Sequence, residues 1–184
     1  MKTLKLVGVI ALSAAIGFGF PVSALATDFV TTQHGVTVSC PEVLSISSDT
    51  DNFTLTFTGF VQENSETDTK TVTYTVQSNN MRQADGQAAI NINLDADYAD
   101  PLQLLADVGD YTLTSGNTEL AEQAGGFVQI TKDVKAFAKK DNTTEGTEGK
   151  LLNGTIPIVY KAKATGELAT GDYGNQVFVT LTTI

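Results

Sequence analysis

The feature that most constrains this fold is a strict alternation of apolar residues and threonine in short stretches of the chain. Phe53, Leu55 and Phe57 alternate with threonines, and the same period of two recurs from Val72 to Val76. Residues two apart share one face of a β-strand, so each stretch predicts a strand with one buried and one wetted face. An amphipathic helix would instead need apolar residues three and four apart.

Further strand-like stretches follow at the spacing expected of a β-sandwich. One segment differs, because Asp100 and Pro101 followed by a leucine-rich run to Val108 predict a short capped helix between strands. The polar stretch from Lys139 to Lys150 predicts a surface loop. We therefore expect an all-β sandwich with strands near Val36–Cys40, Val43–Ser47, Ala88–Leu94, Tyr111–Thr114, Phe127–Thr131, Val134–Ala138, Leu151–Ala164 and Gln176–Ile184.

The last of these strands, Gln176–Ile184, carries no charged side chain. Val177, Val179 and Leu181 share one of its faces. The unpaired backbone groups of such an apolar strand at an open sheet edge would recruit other chains. We therefore expect a cover for it, from the same chain or from a partner, and the segment of suitable type is the arm Thr27–Cys40.

The start of the chain has the form of a secretory signal peptide. Lys2 and Lys5 precede the apolar run Leu6–Phe20, and Ala24 and Ala26 form a small-x-small cleavage site. This pattern predicts a signal at residues 1–26, an N-terminal arm at 27–40 and a β-sandwich domain at 41–184. An uncleaved membrane anchor is the alternative. With cleavage we expect a secreted or cell-surface protein without a transmembrane segment, exported through the periplasm in a Gram-negative cell.

Charge and cysteine content restrict the partners and the covalent chemistry. The formal net charge is −10, which argues against nucleic-acid binding and fits an exported protein. Loss of the signal would remove Lys2 and Lys5, giving −10 − 2 = −12. Cys40 is the single cysteine, so no intramolecular disulfide can form, and we expect it to be a small buried residue.

No catalytic constellation has suitable spacing. His34 is the single histidine and is expected to be solvated. Asp95, Asp97 and Asp100 are weak calcium candidates, because they lack the glycine and the bidentate glutamate of a calcium loop. We therefore expect a protein that is not an enzyme and has neither cofactor nor metal.

Two carboxylate pairs remain as a weak alternative. Glu119 with Glu122, or Asp49 with Asp51, would suit a secreted glycoside hydrolase if the two carboxyl groups faced each other in a pocket.

The two ends of the predicted mature chain are similar to a known family. Three stretches, Val36–Leu44, Gly154–Tyr160 and Ala169–Tyr173 leading into Val177–Leu181, resemble the opening, penultimate strand and closing strand of certain fimbrial subunits. These are alternate chaperone–usher subunits of the colonisation-factor type, with a looser similarity to spore-coat-U-like and archaic pilins.

The resemblance implies an immunoglobulin-like β-sandwich that lacks one strand. In such subunits a periplasmic chaperone lends a strand, an outer-membrane usher exports the subunit, and the arm of the next subunit then replaces the lent strand. It implies Val30, Val36 and Val38 as strand-donor residues and Val177, Val179 and Leu181 as residues of the acceptor strand. The implied function is a structural subunit of a pilus, another surface fibre or a coat, involved in cell adhesion.

The sequence is also compatible with a second function. The arm could instead complete its own sandwich, which would give a monomeric secreted module that binds a protein or a carbohydrate. A ladder between Val36–Cys40 and Gln176–Ile184 of one chain would support that interpretation.

Overall fold

The computed structural model describes residues 35–79, 89–116, 119–123, 125–140 and 151–182. The chain divides into two compact units, Met1–Ser39 and Cys40–Ile184. In the first unit, the described residues 35–39 are exposed and have no regular secondary structure. The strand predicted at Val36–Cys40 is therefore wrong. The predicted signal, Val30, His34 and residues 141–150 of the predicted loop lie outside the described residues.

The described part of the second unit is built from β-strands and contains no helix. Its ten strands are β1 (Leu44–Ser48), β2 (Lys70–Ser78), β3 (Ala89–Leu94), β4 (Leu102–Val108), β5 (Thr112–Gly116), β6 (Leu120–Glu122), β7 (Val128–Ile130), β8 (Lys135–Lys140), β9 (Leu152–Ala164) and β10 (Val177–Thr182).

The strands form two antiparallel sheets. Sheet I has the order β1-β2-β9-β4-β7, and β5 pairs with the first half of the long strand β9. Sheet II has the order β10-β3-β8-β6. The predicted all-β fold with two packed layers is thereby confirmed.

The core lies between the two sheets and follows directly from the alternating sequence. In β9 every second residue from Leu152 to Ala164 is buried. Each fully buried isoleucine or leucine stabilises the fold by about 1.5–3 kcal/mol relative to an exposed one. The central core residues are Val72, Val76, Ile156, Ile158 and Tyr160 of sheet I and Ile90, Ile92, Leu94 and Leu181 of sheet II.

The helix predicted after Pro101 is wrong, because this segment is strand β4. Leu102, Leu104, Ala106 and Val108 are all buried, so the segment has a period of two in its burial. The sequence pattern was ambiguous because Leu105 adds an apolar residue on the wetted face and Ala106 is only weakly apolar. Pairing with β9 along the whole of β4 decides the conformation.

The chain before β1 also differs from expectation. Cys40 is exposed rather than buried. Asn79 holds the backbone that follows Cys40. Its Nδ2 donates to the Pro41 carbonyl at 2.7 Å, and its Oδ1 accepts from the Val43 backbone N–H at 2.8 Å. The short strand β6 was not predicted.

Candidate functional site

Strand β10 lies at the edge of sheet II with its outer side open. It pairs with β3, and the Asp95 N–H donates to the Gln176 carbonyl at 3.0 Å just before β10 begins. In an antiparallel pair, successive residues point their backbone groups alternately toward and away from the partner strand. The N–H and C=O groups of Val177, Val179 and Leu181 therefore point away from β3. Among the described residues no strand pairs with that side.

The facing wall is residues 52–58, here called the extended segment. It follows β1 but belongs to no strand, and no backbone hydrogen bond to it is found within the described part of the chain. Phe53, Leu55 and Phe57 are half-buried while the threonines between them are exposed. The predicted face is thus correct, but the predicted strand pairing is not formed.

Between β10 and the extended segment runs a groove of about 1430 Å³. Its floor includes Tyr74, Leu104 and Ala162 of sheet I, and its walls include Val177 and Val179 of β10. Small-molecule sites typically occupy about 300–1,000 Å³, so this opening is larger than such a site. Two walls that present alternate apolar side chains suit an extended peptide strand.

A tyrosine pair supports the groove from below. The hydroxyl groups of Tyr74 and Tyr160 lie 3.0 Å apart, and the Phe53 ring centroid lies 5.1 Å from that of Tyr160. Burial raises the pKa of Tyr160 and the pKa of Tyr74 above their ordinary value. Both phenols therefore stay neutral at physiological pH, and the Phe53 ring covers the fully buried Tyr160.

At the Val177 end the groove opens into a depression of about 630 Å³, here called the acidic bowl. The bowl and the groove share Tyr98, Asp172 and Tyr173 in their linings. The Asn175 Nδ2 group donates to the Ala96 carbonyl and ties the two rims together. The bowl is lined by Asp95, Ala96, Asp97, Tyr98, Ala99, Asp172, Tyr173, Gly174, Asn175 and Gln176.

The structure brings two of the three acceptor candidates to the groove. Val177 and Val179 line it, whereas Leu181 is 5% exposed and belongs to the core. Of the donor candidates, Val36 and Val38 are 83% and 89% exposed. Val30 lies outside the described residues.

The calcium candidates are not assembled. The Asp97 carboxylate accepts the Lys132 backbone N–H at 2.7 Å and lies 3.7 Å from the Lys132 ammonium group. Asp95 lines the bowl with it, whereas Asp100 does not. No group of three or more metal-ligating side chains was found in the described part of the chain.

The carboxylate pairs proposed for hydrolysis are not brought together in the groove or the bowl. Asp49 accepts the Thr73 backbone N–H at 3.0 Å, and this hydrogen bond holds the pKa of the Asp49 carboxyl below its usual value. Burial, with Asp107 and Asp110 nearby, raises the pKa of Glu122. Of the four residues in the two pairs, Asp51 lines the groove and none lines the bowl.

Several groove residues were not identified from the sequence. Tyr98, Asp172 and Tyr173 come from two connections far apart in the chain. Asp95 and Asp97 were considered as calcium candidates and Ala169–Tyr173 as part of a resemblance, but only the pairing of β10 with β3 brings these connections together.

No family model, curated protein or solved structure matches this chain. Within the described residues, no helix is long and apolar enough to cross a membrane.

Proposed function

We propose that this protein is a secreted, non-enzymatic structural subunit of a surface fibre, such as a pilus, or of a coat, and that it assembles by β-strand donation. The observation that carries the proposal is the open groove between β10 and the extended segment. A sandwich that leaves an apolar strand at an open edge needs a further strand to complete it.

The occupant in the assembled fibre is the arm of a second copy, residues 27–39. Its Val30, Val36 and Val38 would fill the groove between Val177, Val179 and the extended segment, while backbone hydrogen bonds form along the free edge of β10. The implied export partners are a periplasmic chaperone and an outer-membrane usher. In such a fibre each copy donates one strand and accepts one.

Two variants test donor and acceptor separately. Deletion of residues 27–39 should leave a folded subunit that no longer assembles. Val179→Pro removes an N–H that points to the free edge, which an edge strand tolerates, so folding should persist and strand acceptance should fail. Thr180→Pro is the matched control, because it removes an N–H directed at β3 and should destabilise the fold.

Mixing the two variants gives the sharpest readout. The Val179→Pro subunit can still donate, and the arm-deleted subunit can still accept, so an equimolar mixture should form a heterodimer and no fibre. Sedimentation velocity would measure this. Fibres formed by the arm-deleted protein would contradict the proposal. A wild-type protein that stays monomeric at high concentration would also contradict it and would favour the monomeric binding module.

A further inference from the structure

Both walls of the groove carry unpaired backbone groups. The N–H and C=O groups of Val177, Val179 and Leu181 point away from β3, and the extended segment forms no backbone hydrogen bond within the described part of the chain. Each wall also has three apolar side chains at alternate positions, with exposed threonines between those of the extended segment. Each wall therefore has the sequence pattern and the free backbone of a strand that is able to pair with the other.

The two walls run in opposite directions. After β1 the chain continues along β2 toward its first residue, Lys70. Asp49 is hydrogen-bonded to Thr73, and the Phe53 ring lies over Tyr160, the partner of Lys70. At that end of the sandwich β9 finishes and β4 begins. β10 also begins there, because its first residue pairs with the end of β3, from which the chain leads into β4. A direct pair of the two walls is thus antiparallel.

The extended segment is anchored before its first residue and only loosely attached after its last. The Asp49 N–H donates to the Thr73 carbonyl and the Asp49 carboxylate accepts the Thr73 N–H, both at 3.0 Å. The connector after the segment is Gly59 and Phe60. Gly59 has a φ of 85° with nothing within 4 Å of a Cβ there, and Phe60 is 80% exposed. The second end of the segment can therefore move toward β10 without breaking any packing of its connector.

The movement needed to bring the walls together is short. β1, which leads into the turn at Asp49, already comes within 8 Å of β10 between Cα atoms. A groove wide enough for one inserted strand separates its walls by about 10 Å, whereas paired strands lie about 5 Å apart. Closing thus shifts the free end of the segment by about 5 Å. Leu55 and Phe57 then fill the groove, while Phe53 keeps its place over Tyr160.

We propose that the extended segment is a latch, which alternates between the open groove and a closed form in which it pairs with β10. In the closed form the three apolar residues of the segment lie opposite the three of β10, with Leu55 opposite Val179 at the centre. Pairing protects the free edge of a single subunit from other chains. This inference rests on the proposed strand-accepting role of the groove, and it adds that a donated strand binds only when the latch is open.

A disulfide across the closed pair tests the latch. When Leu55 faces Val179, Thr54 faces Thr180, and both threonines are exposed. In an antiparallel pair these positions do not exchange backbone hydrogen bonds, and their Cα atoms lie about 4.5 Å apart, which suits a disulfide. Walls about 10 Å apart cannot be bridged, because a disulfide requires Cα atoms within about 7 Å. The predicted mature chain is prepared with Thr54→Cys and Thr180→Cys, and Cys40→Ser removes the native thiol.

Under mild oxidation by glutathione disulfide at low protein concentration, this variant should form an intramolecular disulfide. The matched control carries Thr54→Cys, Thr182→Cys and Cys40→Ser, and its two cysteines are diagonal neighbours about 7–8 Å apart in the closed form. Mass spectrometry should show that the control cross-links at least about tenfold more slowly, since its separation is at the limit for a disulfide.

Assembly gives the second readout. By sedimentation velocity the oxidised Thr54→Cys, Thr180→Cys protein should stay monomeric, whereas the same protein after reduction should assemble like wild type. Thr75→Cys with Thr155→Cys controls for cross-linking itself. These two residues are directly opposed in sheet I, so their disulfide leaves the groove free and should leave assembly unchanged.

The outcomes separate the latch from the proposed function. If the two groove pairs cross-link at equal rates, the latch is wrong, while the proposed function stands if the reduced protein assembles. If the oxidised protein assembles as well as the reduced one, the latch and the strand-accepting groove are both overturned. If neither the reduced protein nor wild type assembles, the proposed function is wrong, and the ratio of cross-linking rates alone decides whether the segment closes onto β10.

Discussion

Gly154 has no room for a side chain, because β9 runs close beside β5 at this point. A Cβ atom at this position would overlap the Tyr111 hydroxyl and the Thr112 carbonyl oxygen. Gly154 lies in the buried row of β9 and is paired with Leu113 of β5, so a side chain here would displace the backbone of β5 and the Tyr111 ring. The glycine is thus required by close approach, although the sequence alone shows only a glycine within a strand pattern.

Gly154→Ala should lower the free energy of unfolding by about 1–3 kcal/mol, the usual cost of overpacking a core. Urea denaturation would measure it. Gly171→Ala is the matched control, because nothing lies within 4 Å of a Cβ at Gly171. Equal stability of both variants would show that the β5–β9 contact is looser than described.

Buried phenols predict a loss of stability in alkali. Burial raises the pKa of Tyr111 to about 12, and it also raises the pKa values of Tyr74 and Tyr160. A group whose pKa is higher in the folded state stabilises the fold below its unfolded pKa, about 10 for tyrosine, and loses that contribution as the pH rises through the folded value.

The melting temperature should therefore be steady between about pH 7 and 9 and fall between about pH 10 and 12 as these phenols ionise. Tyr111→Phe should reduce the fall. Tyr173→Phe is the control, since the Tyr173 hydroxyl lies in an exposed residue and donates to the Ala169 carbonyl. A fall of the same size in Tyr111→Phe and wild type would contradict the role of Tyr111.

At the level of elements, the period of two predicted most of the strands correctly, and two of the differences from the structure are informative. In β4 the leucines fitted a helix as well as a strand, and only pairing with β9 resolved them. In the extended segment the alternation placed Phe53, Leu55 and Phe57 on the buried side, but it carried no information about a neighbouring strand. The pattern of side chains indicates which face of a segment is exposed to solvent, whereas strand pairing depends on residues distant in sequence.

The extended segment should contribute to stability through its side chains. Phe53→Ala removes the ring that covers Tyr160 and should lower the free energy of unfolding by about 1–2 kcal/mol, since Phe53 is half-buried. Phe60→Ala is the matched control, because Phe60 is 80% exposed and its loss should change stability by less than about 0.5 kcal/mol.

Chemical denaturation of both variants would measure the difference. A Phe53→Ala protein as stable as Phe60→Ala would mean that the segment does not pack on the tyrosine pair in solution.

On the scale of the whole molecule, the groove exists because the edge strands of the two sheets, β1 and β10, do not pair with each other. β1 ends sheet I and β10 ends sheet II on the same side of the sandwich, with the extended segment between them. The sequence predicted that Gln176–Ile184 needs a cover, but it could not show that the second wall is residues 52–58 or that the groove continues into an acidic bowl at one end. Those features depend on which strands end each sheet.

The formal net charge of −10 predicts how the assembly of copies responds to salt. Assembly between copies brings acidic subunits together, so screening their repulsion should strengthen it. Raising the ionic strength from about 20 mM to about 500 mM shortens the Debye length from about 20 Å to about 4 Å, which should raise the association constant between copies about three- to tenfold.

Sedimentation velocity on the protein at the two ionic strengths would measure this change. Weaker assembly of copies at high salt would show that charge attraction, rather than apolar side chains entering the groove, holds them together. In that case the contact between copies would have to lie on a surface other than the described groove, whose lining contains no cation.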